Sequence, residues 1–294
     1  MEFSYKSLAE IADEAERLGM SISELVLIEQ ASVMECTKED VLAQMEQQYD
    51  VMIHSMLEGV QPHIRSTSGL SGGDAYKMSK VLGTERTLTG TFLSTALMRA
   101  LAVSEVNASM GRIVACPTAG SCGIVPSAVY TMQEERKLDK MQCVMSLLTA
   151  SAVGMVISKN ASLSGAQGGC QAECGSASAM AAAALVELGG GTPKQCLHAA
   201  AIAIKCVLGL VCDPVAGLVE VPCVKRNASG VANAIMAAEL ALAGIESVIP
   251  VDEVIDAMRE VGNQMNSQLK ETAEGGLAAT PTAERLTRKI YENK

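Results

Sequence analysis

The amino-acid sequence predicts an all-α fold, and three observations carry that expectation. Hydrophobic residues make up 49% of the 294 residues and charged ones 19%, which supplies a sizeable apolar core and argues against disorder. Aromatic residues are only 2%, with no Trp, so the core must be filled by aliphatic residues, 17 Met and many Ala and Gly. Ala and Met are good helix formers, and small residues let helices approach closely. Finally, helical apolar spacing with capping signals recurs along the chain, whereas alternating β-branched segments are few. Residues 217–224 are the best strand candidate, and a short one. A net charge of −10 and the scarcity of aromatic rings offer neither a basic surface nor stacking platforms, which excludes nucleic acid as a partner.

The elements follow in order. The first sixty residues read as amphipathic helices. Ser21-Ile-Ser-Glu24 has the form of a capping box before Leu25, Leu27, Ile28 and Val33. Thr37 is a similar cap for a helix from Lys38 to about Leu57. Ser66-Thr-Ser-Gly-Leu-Ser-Gly-Gly-Asp74 is a glycine–hydroxyl loop, which either wraps an anion or turns the chain. Helical spacing resumes from about Leu88 to Asn107. Beyond Gly111 charge thins out, and four glycine-rich loops separate uncharged helical stretches: residues 116–123, 162–170, 189–193 and 210–217. Thr192-Pro193 is a helix start with proline at the first helical position. Thr280-Pro281 or Thr282 starts the last helix. The expected organisation is an N-terminal helical section, 1–110, continuous with a helical core, 111–294.

Residues 141–158 carry no charge and are flanked by Lys140 and Lys159. Gln142, Ser146, Thr149 and Ser151 dilute the run, so it reads as a buried core helix and not a membrane span. The N-terminus is acidic with no apolar run, so no secretory leader is expected and the cytoplasm is the expected compartment. In a reducing compartment, ten cysteines point to burial, metal binding or catalysis more than to disulfides.

Cys170, Cys174, Cys212 and Cys223 are the informative ones. Cys170 and Cys174 are four apart on a segment read as a helix beginning near Gly169, which places both sulfurs on one face. Cys212 precedes Asp213-Pro214 and Cys223 follows Pro222, and each proline stiffens its loop. Thiolates select iron–sulfur clusters, zinc or copper(I), but no Cys-x-x-Cys pair is present. On spacing alone, small buried packing residues are an equally good reading.

The residues around these cysteines are more specific. Gly111-Arg-Ile-Val-Ala-Cys-Pro-Thr-Ala-Gly-Ser-Cys-Gly-Ile-Val-Pro126, Ser162-Leu-Ser-Gly-Ala-Gln-Gly-Gly-Cys170-Gln-Ala-Glu173 and Leu210-Val-Cys212-Asp-Pro-Val-Ala-Gly-Leu-Val-Glu-Val-Pro-Cys223-Val-Lys-Arg-Asn227 together resemble the α, catalytic, part of iron–sulfur-dependent L-serine dehydratases. The resemblance spans at least residues 111–243. It implies a [4Fe–4S] cluster held by cysteines in Gly-Cys-Gln-x-Glu, Cys-Asp-Pro and Val-Pro-Cys motifs, here Cys170, Cys212 and Cys223, with the glycine-rich loops around it. It further implies L-serine as substrate, pyruvate and ammonia as products, and a β subunit as partner. Some fused members end in a cysteine that caps the open iron, whereas this sequence ends Ile-Tyr-Glu-Asn-Lys294.

Three thiolates on a four-iron cube leave one iron open as a Lewis acid. The candidates for orientation and proton transfer are Thr118 and Ser121, Ser164 with its glycine-rich turn, Glu173 or Asp213 as base or hydrogen-bond acceptor, and Arg226 as carboxylate clamp or ion-pair partner. Cys122 reads as packing, His198 as structural, and neither His54 nor His63 is assigned a role. The base is equally able to come from the β subunit. The competing readings are a related lyase acting on threonine or cysteine, and a non-catalytic subunit with Cys174 closing a four-cysteine site. A pyridoxal-phosphate mechanism needs a Schiff-base lysine, and Lys159, Lys194, Lys205 and Lys225 sit in no recognisable cofactor motif.

Overall fold

A computed structural model describes residues 4–292. Five helices are opened by reciprocal capping boxes, in which the cap hydroxyl or carboxylate accepts from the third helical N–H and the residue there reaches back. They are α1 (Leu8–Leu18, capped by Ser7), α2 (Ile22–Val33, by Ser21) and α3 (Lys38–Gly59, by Thr37). After α4 (Asp74–Ser79), α5 (Gly90–Ala108) and α6 (Ile124–Arg136) come the other two, α7 (Lys140–Asn160, capped by Asp139) and α10 (Pro193–Lys205, by Thr192). Between these lie the single turn α8 (Gly165–Gly168) and α9 (Ser176–Leu188). The chain closes with α11 (Cys223–Leu242), α12 (Val251–Gln264) and α13 (Pro281–Glu292).

Helix α9 is the axis of the bundle. Ala177, Ala179 and Ala181 to Ala184 are fully buried, and their small side chains let α6, α7, α10 and α11 close on it from all sides. Helix α7, the uncharged run, is long and apolar enough to cross a membrane, but it is packed between α2, α3, α6 and α9 with most of its residues buried. It is a core helix. Tyr49 on α3 is wholly buried, and its hydroxyl donates to Gln133 on α6 at 2.7 Å.

No strand forms among the described residues, and residues 217–224 run through a turn into the start of a helix. Val215–Gly217 makes a 3₁₀ turn, the Val215 N–H donates to the Val221 carbonyl at 2.8 Å, and Cys223 already opens α11. Short β-branched runs satisfy their backbone this way when no neighbouring strand is present. Among the described residues the one β-type contact is an isolated parallel bridge between Cys212 and Lys270. Gln171–Gly175 forms a π-helical turn running into α9, where regular α-helix from Gly169 was expected.

Candidate functional site: a buried thiol cluster

Four connections meet at one end of α9: residues 111–123 before α6, 161–175 between α7 and α9, 206–222 before α11, and 265–280 before α13. The π turn places Cys170 at its start and carries Glu173 and Cys174. Such turns recur at functional sites because the extra residue re-aims side chains. The Cys170 and Cys174 sulfurs are 3.4 Å apart, both buried, so they share one face as the spacing predicts. Gln171 fixes the turn. Its Nε2 donates to the Met258 carbonyl at 3.0 Å, and its Oε1 accepts from the Gly209 N–H at 2.9 Å.

Cys212 is held by a strap from near the C-terminus. Its N–H donates to the Leu269 carbonyl, and its carbonyl accepts from the Glu271 N–H, each at 2.8 Å. Asp213 Oδ2 accepts from the Leu277 N–H at 2.8 Å, and Tyr291 donates to the Ala216 carbonyl at 3.1 Å. Asp213 Oδ1 faces Arg226 Nη2 at 2.8 Å as an ion pair without an aligned hydrogen bond. Arg226 Nη1 donates to the Val211 carbonyl at 2.8 Å. Arg226 is thus an ion-pair partner facing the thiols, and Asp213 is engaged on both oxygens.

Asn227, fully buried, joins the remaining loops. It donates to the Gly120 carbonyl at 2.7 Å and the Cys223 carbonyl at 3.0 Å, and accepts from the Gly123 N–H at 2.8 Å. That brings Thr118 and Ser121 to the site. The Thr118 hydroxyl donates to Glu173 Oε1 at 3.0 Å and is 3.1 Å from the Ser121 hydroxyl. Gly165 has no side chain for a concrete reason: a Cβ there would stand 2.8 Å from both Cys212 Sγ and Glu173 Oε2. The thiol and the carboxylate are therefore neighbours across a bare backbone. Ser164 caps the α8 turn, accepting from the Ala166 N–H at 3.2 Å, and the N–H groups of Gln167, Gly168 and Gly169 also bond within that turn.

Burial raises the Glu173 carboxyl above the ordinary carboxylate range, and the nearby Glu271 adds to the shift against the Thr118 hydrogen bond. Contact with Cys174, together with Arg226, lowers the Cys170 thiol, while the same contact and burial push Cys174 well up. Burial raises Cys212, and it raises Cys223 to about 12, with Cys170 and Glu173 reinforcing the shift. Cys174 and Cys212 thus each feel the charge of Cys170 and of Cys223. Among the described residues, no three His, Cys, Asp or Glu side chains converge tightly enough to hold a single ion. Soft thiol donors brought together from separate stretches of chain, with Cys170, Cys174 and Cys212 buried and Cys223 half-buried, suit an iron–sulfur group.

The other singled-out residues lie elsewhere. Cys122 is buried against Met56 and Val103 as packing. His198 Nδ1 accepts from the Ser247 N–H at 3.2 Å, a structural role, His54 pairs with Glu58 at 3.7 Å, and His63 is exposed. The glycine–hydroxyl loop does wrap anions, and they are the protein's own. Glu105 accepts from the N–H groups of Gly73, Asp74 and Ala75, and Glu220 accepts from Ser68 and Ser71. Asn227 and Glu220 stand inside the quoted motifs without a sequence-level role, because their partners lie roughly a hundred residues or more away.

The family model described as serine dehydratase alpha chain matches residues 17–278. The chain is 51% identical to the probable L-serine dehydratase, alpha chain, of Bacillus subtilis (strain 168), over 97% of this chain and 94% of that one. It is 47% identical to the L-serine dehydratase, alpha chain, of Peptoniphilus asaccharolyticus, over 95% of this chain and 96% of the relative. L-serine dehydratase 2 of Escherichia coli (strain K12) is 37% identical over 94% of this chain, which spans 62% of that longer protein.

Proposed function

The chain belongs to the serine dehydratase alpha-chain family, and on that premise we propose that it is the cluster-bearing half of a cytoplasmic enzyme that converts L-serine to pyruvate and ammonia. In this reading Cys170, Cys212 and Cys223 hold a [4Fe–4S] cluster, and a β chain completes the enzyme. The observation that carries it is that these three motif cysteines, from residues 161–175, residues 206–222 and the first position of α11, lie near enough for Cys170 and Cys223 to raise Cys212 and for Cys170 to raise Cys223, with Cys212 beside Glu173 across Gly165. The alpha-chain names of the relatives, and the extra length of the Escherichia coli protein, support the partner.

Bound through three thiolates, such a cluster supplies a Lewis-acidic iron without a protein ligand of its own. The chain's residues supply the rest. Arg226, beside Cys170 and Asp213, offsets negative charge at the thiolates. The Thr118 and Ser121 hydroxyls, fixed through Asn227, provide donors for a small polar substrate. Glu173 is the proton acceptor for Cα. Burial raises its carboxyl above the ordinary carboxylate range, which makes it a stronger base than an exposed carboxylate. Loss of the Cα proton and the Cβ hydroxyl gives aminoacrylate and one water. The tautomeric imine then takes up one water to give pyruvate and ammonia.

A closed four-cysteine site would need Cys174 as a ligand. Its sulfur instead makes a 3.4 Å contact with Cys170, which suits a thiol donating to the Cys170 sulfur. The test is anaerobic assay of pyruvate from L-serine with the β chain present. Wild type should turn over, Glu173→Gln should lower kcat by roughly a hundredfold or more, as for loss of a general base, and Cys212→Ala should be inactive. Full activity in Cys212→Ala would overturn the assignment.

A further inference from the structure

The geometry points to Glu220 as the residue that positions Cys223. This rests on the reading that Cys223 holds iron. Glu220 is three residues before Cys223 and 4% exposed, yet it has no cationic partner at hydrogen-bond distance among the described residues. Its two oxygens each accept one hydroxyl, from Ser68 and from Ser71, both at 2.7 Å. Burying a carboxyl group is unfavourable unless its oxygens are satisfied, so one held by two neutral hydroxyls signals a geometric task more than a stabilising one.

The loop that supplies those hydroxyls is itself rigid. Ser66 and Ser71 bond reciprocally, the Ser66 N–H to the Ser71 carbonyl at 3.0 Å and the Ser71 N–H to the Ser66 hydroxyl at 3.1 Å. The Ser68 hydroxyl accepts from the Leu70 N–H at 3.0 Å. Downstream, Glu105 on α5 collects three successive N–H groups from Gly73 to Ala75. Asp74 then pairs with Lys225, two residues past Cys223. The Cys223 turn is thereby gripped on both sides, by Glu220 before it and Lys225 after it, from one preorganised loop. The Val224 N–H donates to the Glu220 carbonyl at 2.9 Å, so Glu220 also takes part in starting α11. Anchored through its carboxylate and its main-chain carbonyl alike, Glu220 fixes the stretch of backbone that carries Cys223. Outer contacts of this kind orient metal ligands.

The test loads the full chain, with its partner, anaerobically with iron and sulfide, and reads four things. These are iron and sulfide per chain after a chelator challenge, visible absorbance, the electron-resonance spectrum of the reduced protein, and far-UV circular dichroism. Glu220→Ala should lower retained iron by roughly tenfold, the scale seen when an outer partner of a metal ligand is removed, and alter the resonance spectrum with the dichroism unchanged. Glu220→Gln, which can accept one hydroxyl and donate to the other, should restore most of the iron. Ser68→Ala/Ser71→Ala should match Glu220→Ala, and the triple variant should be no worse. If Glu220→Ala does not fold, the serine pair, which leaves the carboxylate in place, decides. Wild-type retention and an unchanged spectrum in Glu220→Ala, or in the serine pair where that decides, would overturn the inference. A wild-type chain that takes up no iron would overturn the cluster reading instead.

Discussion

Cys174 shows how little separates a ligand from its neighbour at the level of single residues. It is as buried as Cys170 and only 3.4 Å from it, yet the motif that carries the resemblance uses Cys170 alone. Replacing Cys170, Cys212 or Cys223 by Ala should abolish iron and sulfide uptake, whereas Cys174→Ala should keep both. Iron analysis of the four variants checks this, and equal dependence on Cys174 would mean a closed site. A second expectation concerns Glu187, which burial holds above the ordinary carboxylate range despite hydrogen bonds from Thr149 and Ser23. Its folded form binds the proton more tightly than the unfolded chain does. The cost of its charge is therefore fully present above the folded pKa and disappears as pH falls through the raised range to the ordinary one. Glu187→Gln should raise the unfolding midpoint at neutral pH, by about 1–2 °C for each kcal/mol relieved in a chain of this length. The gain should fade on acidification. A midpoint that falls, or a gain that does not change with pH, would contradict it.

At the scale of elements, the capping signals were legible because they are local. Ser21, Thr37 and Thr192 cap the helices their sequences announce, and the last helix begins at Pro281. Thr192→Ala should cost about 1 kcal/mol, measurable by denaturant unfolding. The π turn and the strap over Cys212 were not legible. A π turn differs from an α turn by one residue of register, and apolar periodicity does not resolve it over five residues. The strap joins Cys212 to Leu269 and Glu271 by backbone bonds alone, which leave no trace in side-chain pattern. Its fit can be tested at Gly276, where φ is +59° and a Cβ would stand 2.5 Å from Asp213 Oδ2. Gly276→Ala should loosen the strap and lower iron retention while leaving α9 and its neighbours folded. Unchanged retention would show that Cys212 does not depend on the strap.

On the scale of the whole molecule, composition and periodicity are enough to predict an all-helical fold, because a core of Ala, Leu, Val and Met with few rings has few other ways to pack. The convergence of four distant loops at one end of α9 is a property of the assembled bundle; spacing anticipated the Cys170–Cys174 pair, and the family motifs pointed to Cys212 and Cys223 beside it. The same site draws its polar contacts from Thr118, Ser121 and Glu173, and on the proposed reading the β chain closes it from water. The chain alone should take up its cluster yet turn over L-serine poorly until the β chain is added. The most direct test of the central claim is to purify the two chains together without oxygen, count iron and sulfide, and record the electron-resonance spectrum of the reduced enzyme before and after adding L-serine. The prediction is about four irons and four sulfides per alpha chain, as a [4Fe–4S] cluster requires, with a spectrum that changes on adding serine. An iron-free, air-stable preparation that converts L-serine to pyruvate at full rate would contradict it.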